Sequence, residues 1–206
     1  MSPRTSKVTD DEVFAATQRA MTCHGPAELT LAHIAAEAGV TAGRLVQRFG
    51  SKRGLLLALS RRFGGGAGEM FRALRAAHPS PLDALREYGA CMAGLAPTPE
   101  ALARNLAYLQ LDLTDPDFRA NLLANARDSR RELDTLVREA VKAGELTRET
   151  PAAQLARTVE SVISGALMTW ACHQEGTAQR WLRRELEAVL APYLHPRPTS
   201  QRRRAR

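Results

Sequence analysis

From Thr30 to Gly50 the chain reads TLAHIAAEAGVTAGRLVQRFG, and this short stretch carries two helix starts and two helix stops. Thr30 and Thr41 are residues whose side-chain oxygen can cap the first turn of a helix, and Gly39 and Gly50 are of the type that closes the last one. Each helix is barely two turns long, with Ala38-Gly39-Val40-Thr41 as the tight turn between them. Apolar Leu31, Ile34, Ala35 and Ala38 face Val40, Leu45 and Phe49, which describes a helix-turn-helix.

Leu45 and Phe49 lie four apart and share one face of the second helix, which leaves Arg44, Gln47 and Arg48 on the other. A guanidinium can take guanine bidentately and a carboxamide can take adenine, so this face suits base edges and phosphates. From the residues alone, a solvated basic face on a helical hairpin fits equally well.

The remaining punctuation is helical too. Thr9 can cap a helix from Asp10 to about Cys23, and Ser51 opens one that begins KRGLLLALSRRF. Further helices are expected over about 82–95, 99–113, 117–143, 151–173 and from Thr177 to near Pro192. No convincing alternating run with turn signals occurs, so the expected fold is all-α.

Charge divides the chain. Residues 1–63 hold nine Lys or Arg against five Asp or Glu, residues 64–195 fifteen against seventeen, and residues 196–206 five against none. Only the first of these larger parts is therefore suited to meeting a polyanion, and the end RPTSQRRRAR is expected to be a disordered basic tail. No stretch has the roughly 20 apolar residues of a membrane span, and MSPRTSKVTDDEV lacks a secretory apolar region, so a cytoplasmic protein without membrane contact is expected. Cys23, Cys91 and Cys172 form no CxxC pair, in keeping with reduced thiols.

Residues 13–56 resemble the DNA-binding domain of TetR-family transcriptional regulators. The matching features are the alanine-rich first helix ending in His24-Gly25, the Leu29-Thr30 lead-in, Ile34-Ala35, the turn at 38–41, Gly43 with Leu45, and Phe49 followed by Ser51-Lys52 and Leu55-Leu56. The resemblance implies phosphate contacts from Thr30, Thr41 and Lys52 and close approach to bases by Ala42 and Gly43. It also shows departures. Val46 stands where an aromatic is usual, Gln47 and Arg48 where Tyr or His is frequent, and Gln18 where a leucine is usual. With the aromatic gone, Arg44 or Arg48 is expected to take over a phosphate contact.

The family likeness implies a helix-turn-helix DNA-binding domain over residues 10–63, after a basic arm at 1–9. Its fourth helix starts at 51 and leads into a larger helical ligand-binding and dimerisation domain at 64–195. Dimerisation is expected on the last two helices, through Ser161, Gly165, Ala166, Trp170, Leu186, Val189 and Leu190, although their broad apolar stripes fit an internal core as well. A pocket is expected between Tyr88, Cys91 and Met92 on one helix and Asn105, Tyr108, Leu109 and Asp112 on the next, suited to an aromatic or lipophilic effector. The same residues fit an ordinary core margin. Gly64, Gly65, Gly66 and Gly68 should break the connecting helix and form a hinge, or else a plain loop.

Catalysis is not expected. Cys23-His24 and Cys172-His173 are helix neighbours pointing about 100° apart, no Glu-x-x-His occurs, and no phosphate loop or nucleophile elbow is present. No metal or cofactor is implied. The expected function is that of a homodimeric, ligand-responsive repressor on double-stranded DNA, with a nonspecific nucleoid-type binder and, further off, an all-α enzyme as alternatives.

Overall fold

The computed structural model describes residues 8–64 and 66–195; the start of the basic arm, Gly65 and the tail 196–206 lie outside the described residues. The described chain is all-α. Its helices are α1 (Asp10–Cys23), α2 (Leu31–Ala38), α3 (Ala42–Phe49), α4 (Lys52–Gly64), α5 (Ala67–Ala77), α6 (Pro81–Gly94), α7 (Pro99–Thr114), α8 (Pro116–Lys142), α9 (Ala152–His173) and α10 (Ala178–Leu190). A short 3-10 turn, Ala191–Tyr193, follows, and its Leu194 bridges back to Leu146 in the α8–α9 connection.

The starts follow from their caps. Thr9 and Glu12 form a reciprocal box at α1, and Thr30, Thr41, Ser80, Thr98 and Thr177 each accept from a backbone N–H in the first turn of the helix behind them. Asp115 both ends α7 and caps α8, so these two helices meet at a one-residue corner sharpened by Pro116. α4 ends at Gly64 and α5 starts at Ala67, with Gly66 in a turn and Gly68 in the first turn of α5. Arg62 of α4 reaches across to α5 by donating to Glu69, and it also donates to Asp11 of α1.

Two cores result. The larger gathers Phe71, Leu85, Leu133, Leu136, Leu155, Leu182 and Leu186 from α5, α6, α8, α9 and α10. The smaller joins Val13, Leu29, Ile34, Leu45 and Leu55 around α1–α4, and it is completed by Tyr108 of α7 and Phe118 of α8. Gln18 is exposed and the neighbouring Thr17 takes the buried place, its hydroxyl satisfied by the Val13 carbonyl at 2.8 Å. The unusual glutamine therefore leaves no core position unfilled.

Candidate nucleic-acid interface

The helix-turn-helix is built by its caps and two left-handed glycines. Gly39 (φ 65°) closes α2 and Gly50 (φ 79°) closes α3, conformations that disfavour a side chain. Thr30 accepts from the His33 N–H at 3.2 Å and Thr41 from the Arg44 N–H at 3.3 Å, which leaves each hydroxyl proton free to donate outward. Leu45 is buried against Ile34 and Ala35, while Phe49 tilts against Phe14 with ring centroids 6.0 Å apart. Gly54 brings the first turn of α4 against the end of α3, so closely that a Cβ there would lie 2.1 Å from the Phe49 carbonyl oxygen.

On the other side of α3, Gly43, Arg44, Val46 and Gln47 are exposed and Ala42 is half-buried. Arg44 forms no ion pair among the described residues. Val46 is 47% exposed in the middle of this face, a surface valine suited to the methyl group of thymine. Sequence reasoning noted only that an aromatic ring is lost there.

Two of the residues expected to meet DNA have partners within the protein. Arg48 does not sit free on the reading face: it donates to the Val8 carbonyl at 2.7 Å, pairs with the Asp10 carboxylate and covers the Phe49 ring at 5.5 Å. Asp10, the first residue of α1, supplies that carboxylate. Lys52 is half-buried and its ammonium donates to the carbonyls of Pro26 (2.9 Å) and Leu29 (2.8 Å), fastening α4 to the α1–α2 connection. Two of its three protons are thereby engaged.

The rest of the molecule holds this unit by specific contacts. Arg53 grips Asp115 through three hydrogen bonds of 2.8–3.0 Å, reaches Asp117 at 2.8 Å and lies 5.6 Å over the Phe118 ring. The hydrogen bonds from Arg53 hold the Asp115 carboxyl below the usual aspartate range. Tyr108 donates to the His24 carbonyl at 2.9 Å, and burial pushes its phenol up to about 12, so it stays a neutral donor.

The expected effector pocket does not assemble. α6 packs on α8 and α10, and α7 on α8, α9 and α1, so both lean on α8 rather than on one another. Tyr88 stacks on Phe71 at 4.9 Å inside the larger core, Met92 packs at that core's edge and Cys91 is exposed. Asn105 donates to the Leu95 carbonyl and Leu109 is exposed. Of the expected residues, Tyr108 and Asp112 share a cavity of about 230 Å³ between α1 and α4 on one side and α7 and α8 on the other.

The expected dimer residues also divide. Trp170, Leu186 and Leu190 lie in the protomer's own core, Val189 packs against it, and the Trp170 indole donates to the Gly176 carbonyl at 3.2 Å. Trp170, Leu186 and Leu190 are buried within the protomer, and Val189 is half-buried at the edge of that core. Ser161 and Gly165 are exposed, and with the buried Ala166 they line a broad groove along α9 and α10 that also includes Thr158, Val162 and Trp181.

All three cysteines are free and exposed. Among the described residues no group of three His, Cys, Asp or Glu is arranged to hold a metal, and no helix is long and apolar enough to cross a membrane.

Comparison with known proteins agrees with this architecture. Residues 13–59 match the family described as bacterial regulatory proteins of the TetR family, and residues 83–186 match the tetracyclin repressor-like C-terminal domain. A search of curated proteins finds no match. Among solved structures, a TetR transcription regulator from Haloarcula marismortui is 19% identical, with a TM-score of 0.69 over 90% of this chain and 98% of that one. SmeT, the repressor of the Stenotrophomonas maltophilia multidrug efflux pump SmeDEF, is 22% identical, with a TM-score of 0.63 over 92% of each chain. FadR from Bacillus subtilis, solved in complex with stearoyl-CoA, is 17% identical, with a TM-score of 0.63 over 89% of this chain and 98% of that one. With both halves matched, and a helix-turn-helix whose second helix exposes Arg44, Val46 and Gln47, the chain belongs to the TetR family as a DNA-binding transcriptional regulator.

Proposed function

We propose that the protein is a ligand-responsive repressor that binds a near-palindromic operator as a homodimer. Each α3 would enter a major groove, the two about one helical turn of DNA apart. The observation that carries this is the exposed Arg44, which forms no ion pair among the described residues, beside Val46 and Gln47 on a helix whose opposite face is buried. Thr30 and Thr41 would donate to phosphates from the starts of α2 and α3, where the helix dipole favours an anion, while Ala42 and Gly43 keep the backbone near the bases. Arg48 and Lys52 act as braces of the reading unit.

The groove along α9 and α10, around Ser161 and Gly165, is the surface on which a second copy would pack. The small core borrows Tyr108 and Phe118 from α7 and α8, so any displacement of that corner reaches the DNA-binding helices directly. An aromatic or lipophilic effector would act there, limited by its differential affinity for the two arrangements, and the interruption at Gly64–Gly66 would serve as the hinge. The similar proteins include a repressor and a regulator bound to an acyl-CoA, which supports a ligand-controlled repressor. As a bacterial-type regulator it would act in the cytoplasm, where the DNA is.

Selection of bound fragments from random DNA tests this. A near-palindrome with half-sites about one helical turn apart is expected. Recovery of fragments without a shared motif would instead point to a nonspecific nucleoid-type binder.

A further inference from the structure

We propose that the cavity between the DNA-binding helices and the α7–α8 corner is a binding site for a small organic cation, an amine on an aromatic or apolar body that also carries a hydrogen-bond acceptor. The site presupposes the ligand-responsive regulator proposed above and names the chemical class of its effector.

The walls are largely apolar, with Leu56 and Leu59 from α4 facing Phe118 and Tyr108 from α8 and α7. Into this lining α7 brings Asp112, a half-buried carboxylate that accepts no hydrogen bond and pairs with no cation among the described residues. No other lining residue is charged at neutral pH. α8 adds Asn121, whose side-chain Nδ2 is buried without a hydrogen-bond partner. A lone carboxylate beside apolar walls is in an unfavourable place unless a cation joins it, and an orphaned amide donor calls for an acceptor. An ammonium meets the first demand and a hydroxyl or carbonyl on the same molecule the second.

Size and sign narrow the class further. A cavity of about 230 Å³ lies below the range of drug-sized pockets, so the occupant is a single ring or its aliphatic equivalent. Carboxylates and phosphates are repelled by Asp112, and long acyl chains do not fit. Because α1 and α4 supply one side and α7 and α8 the other, an occupant touches both halves of the molecule at once.

Burial holds the Asp112 carboxyl above the usual aspartate range. The folded state thus binds that proton more tightly than the unfolded chain, and the ionised group subtracts stability at neutral pH. Asp112→Asn removes that charge with little change of shape, so the ligand-free variant should melt no lower than the wild type.

The test is calorimetric titration of the full chain near pH 7.5 with 2-amino-1-phenylethanol, and with 1-phenylethanol as the partner lacking the ammonium. Saturable binding of the amine is expected in roughly the millimolar range or tighter, at least tenfold stronger than the neutral alcohol and weakened about tenfold or more by Asp112→Asn. Equal binding of both compounds, an unchanged affinity in the variant, or no saturation by about 10 mM overturns the assignment. A gel-shift on the selected operator, run alongside, separates the two ideas: a protein that binds the operator but not the amine remains a regulator with its effector elsewhere.

Discussion

At the scale of single residues, what a side chain can do for DNA depends on what already holds it. Arg44 and Arg48 are one helical turn apart and look equivalent in sequence, yet Asp10 and the Val8 carbonyl engage Arg48, while Arg44 has no ion-pair partner among the described residues. Replacing Arg44 or Gln47 with Ala should weaken operator binding by about 1–3 kcal/mol and relax preference at one position per half-site. Binding assays on operator and random duplexes check this, and equal losses on both would remove the base-reading role. Lys52 should behave differently. Its ammonium satisfies two carbonyls, so Lys52→Met should destabilise the DNA-binding unit by about 1–3 kcal/mol, seen as a lower melting temperature without DNA. A variant with unchanged melting and only a shallower salt dependence would return Lys52 to phosphate binding.

At the scale of elements, the relation of α3 to α4 is set by Gly54. A Cβ there meets the Phe49 carbonyl oxygen, a backbone atom that cannot rotate away, so Gly54→Ala should cost about 1–3 kcal/mol despite alanine's better helix propensity. Operator affinity should fall with it, because α3 is displaced; normal melting and normal binding together would show that the contact relaxes without consequence. The glycines at the interruption carry the opposite expectation. Gly66 has φ −83°, which any residue adopts, and a Cβ on Gly68 would meet nothing within 4 Å. Gly66→Ala with Gly68→Ala should raise stability by roughly 1–2 kcal/mol and reduce any effector's influence on operator affinity. Thermal melting reads the first effect, and titration of operator with and without effector reads the second.

At the scale of the whole molecule, assembly is the open surface's task. Gly165 is exposed on the α9–α10 groove and nothing lies near its would-be Cβ, so Gly165→Glu should leave the protomer folded but place a charge in a close helix crossing. Sedimentation should then show protomers where the wild type shows dimers, with weaker operator binding. A dimer persisting in the variant would locate the interface elsewhere. Ala166 is unsuited to this test, since it is buried in its own protomer and a charge there would unfold the chain first.

Local chemistry was fully legible in the amino-acid order. Capping threonines, helix-ending glycines and the spacing of Leu45 and Phe49 depend only on neighbours a turn apart, so the helix-turn-helix and most helix boundaries follow from the sequence alone. The partners of those helices did not. Periodicity tells which face of a helix is apolar but not which helix will cover it, and so Tyr88 and Tyr108, both on promising faces, ended in different cores. Charges separated by tens of residues, as in Arg53 with Asp115 or Arg48 with Asp10, leave no local signature either. Only the tertiary structure, by packing α7 and α8 against the DNA-binding helices, placed Asp112 in a cavity that the sequence had assigned to another pair of walls.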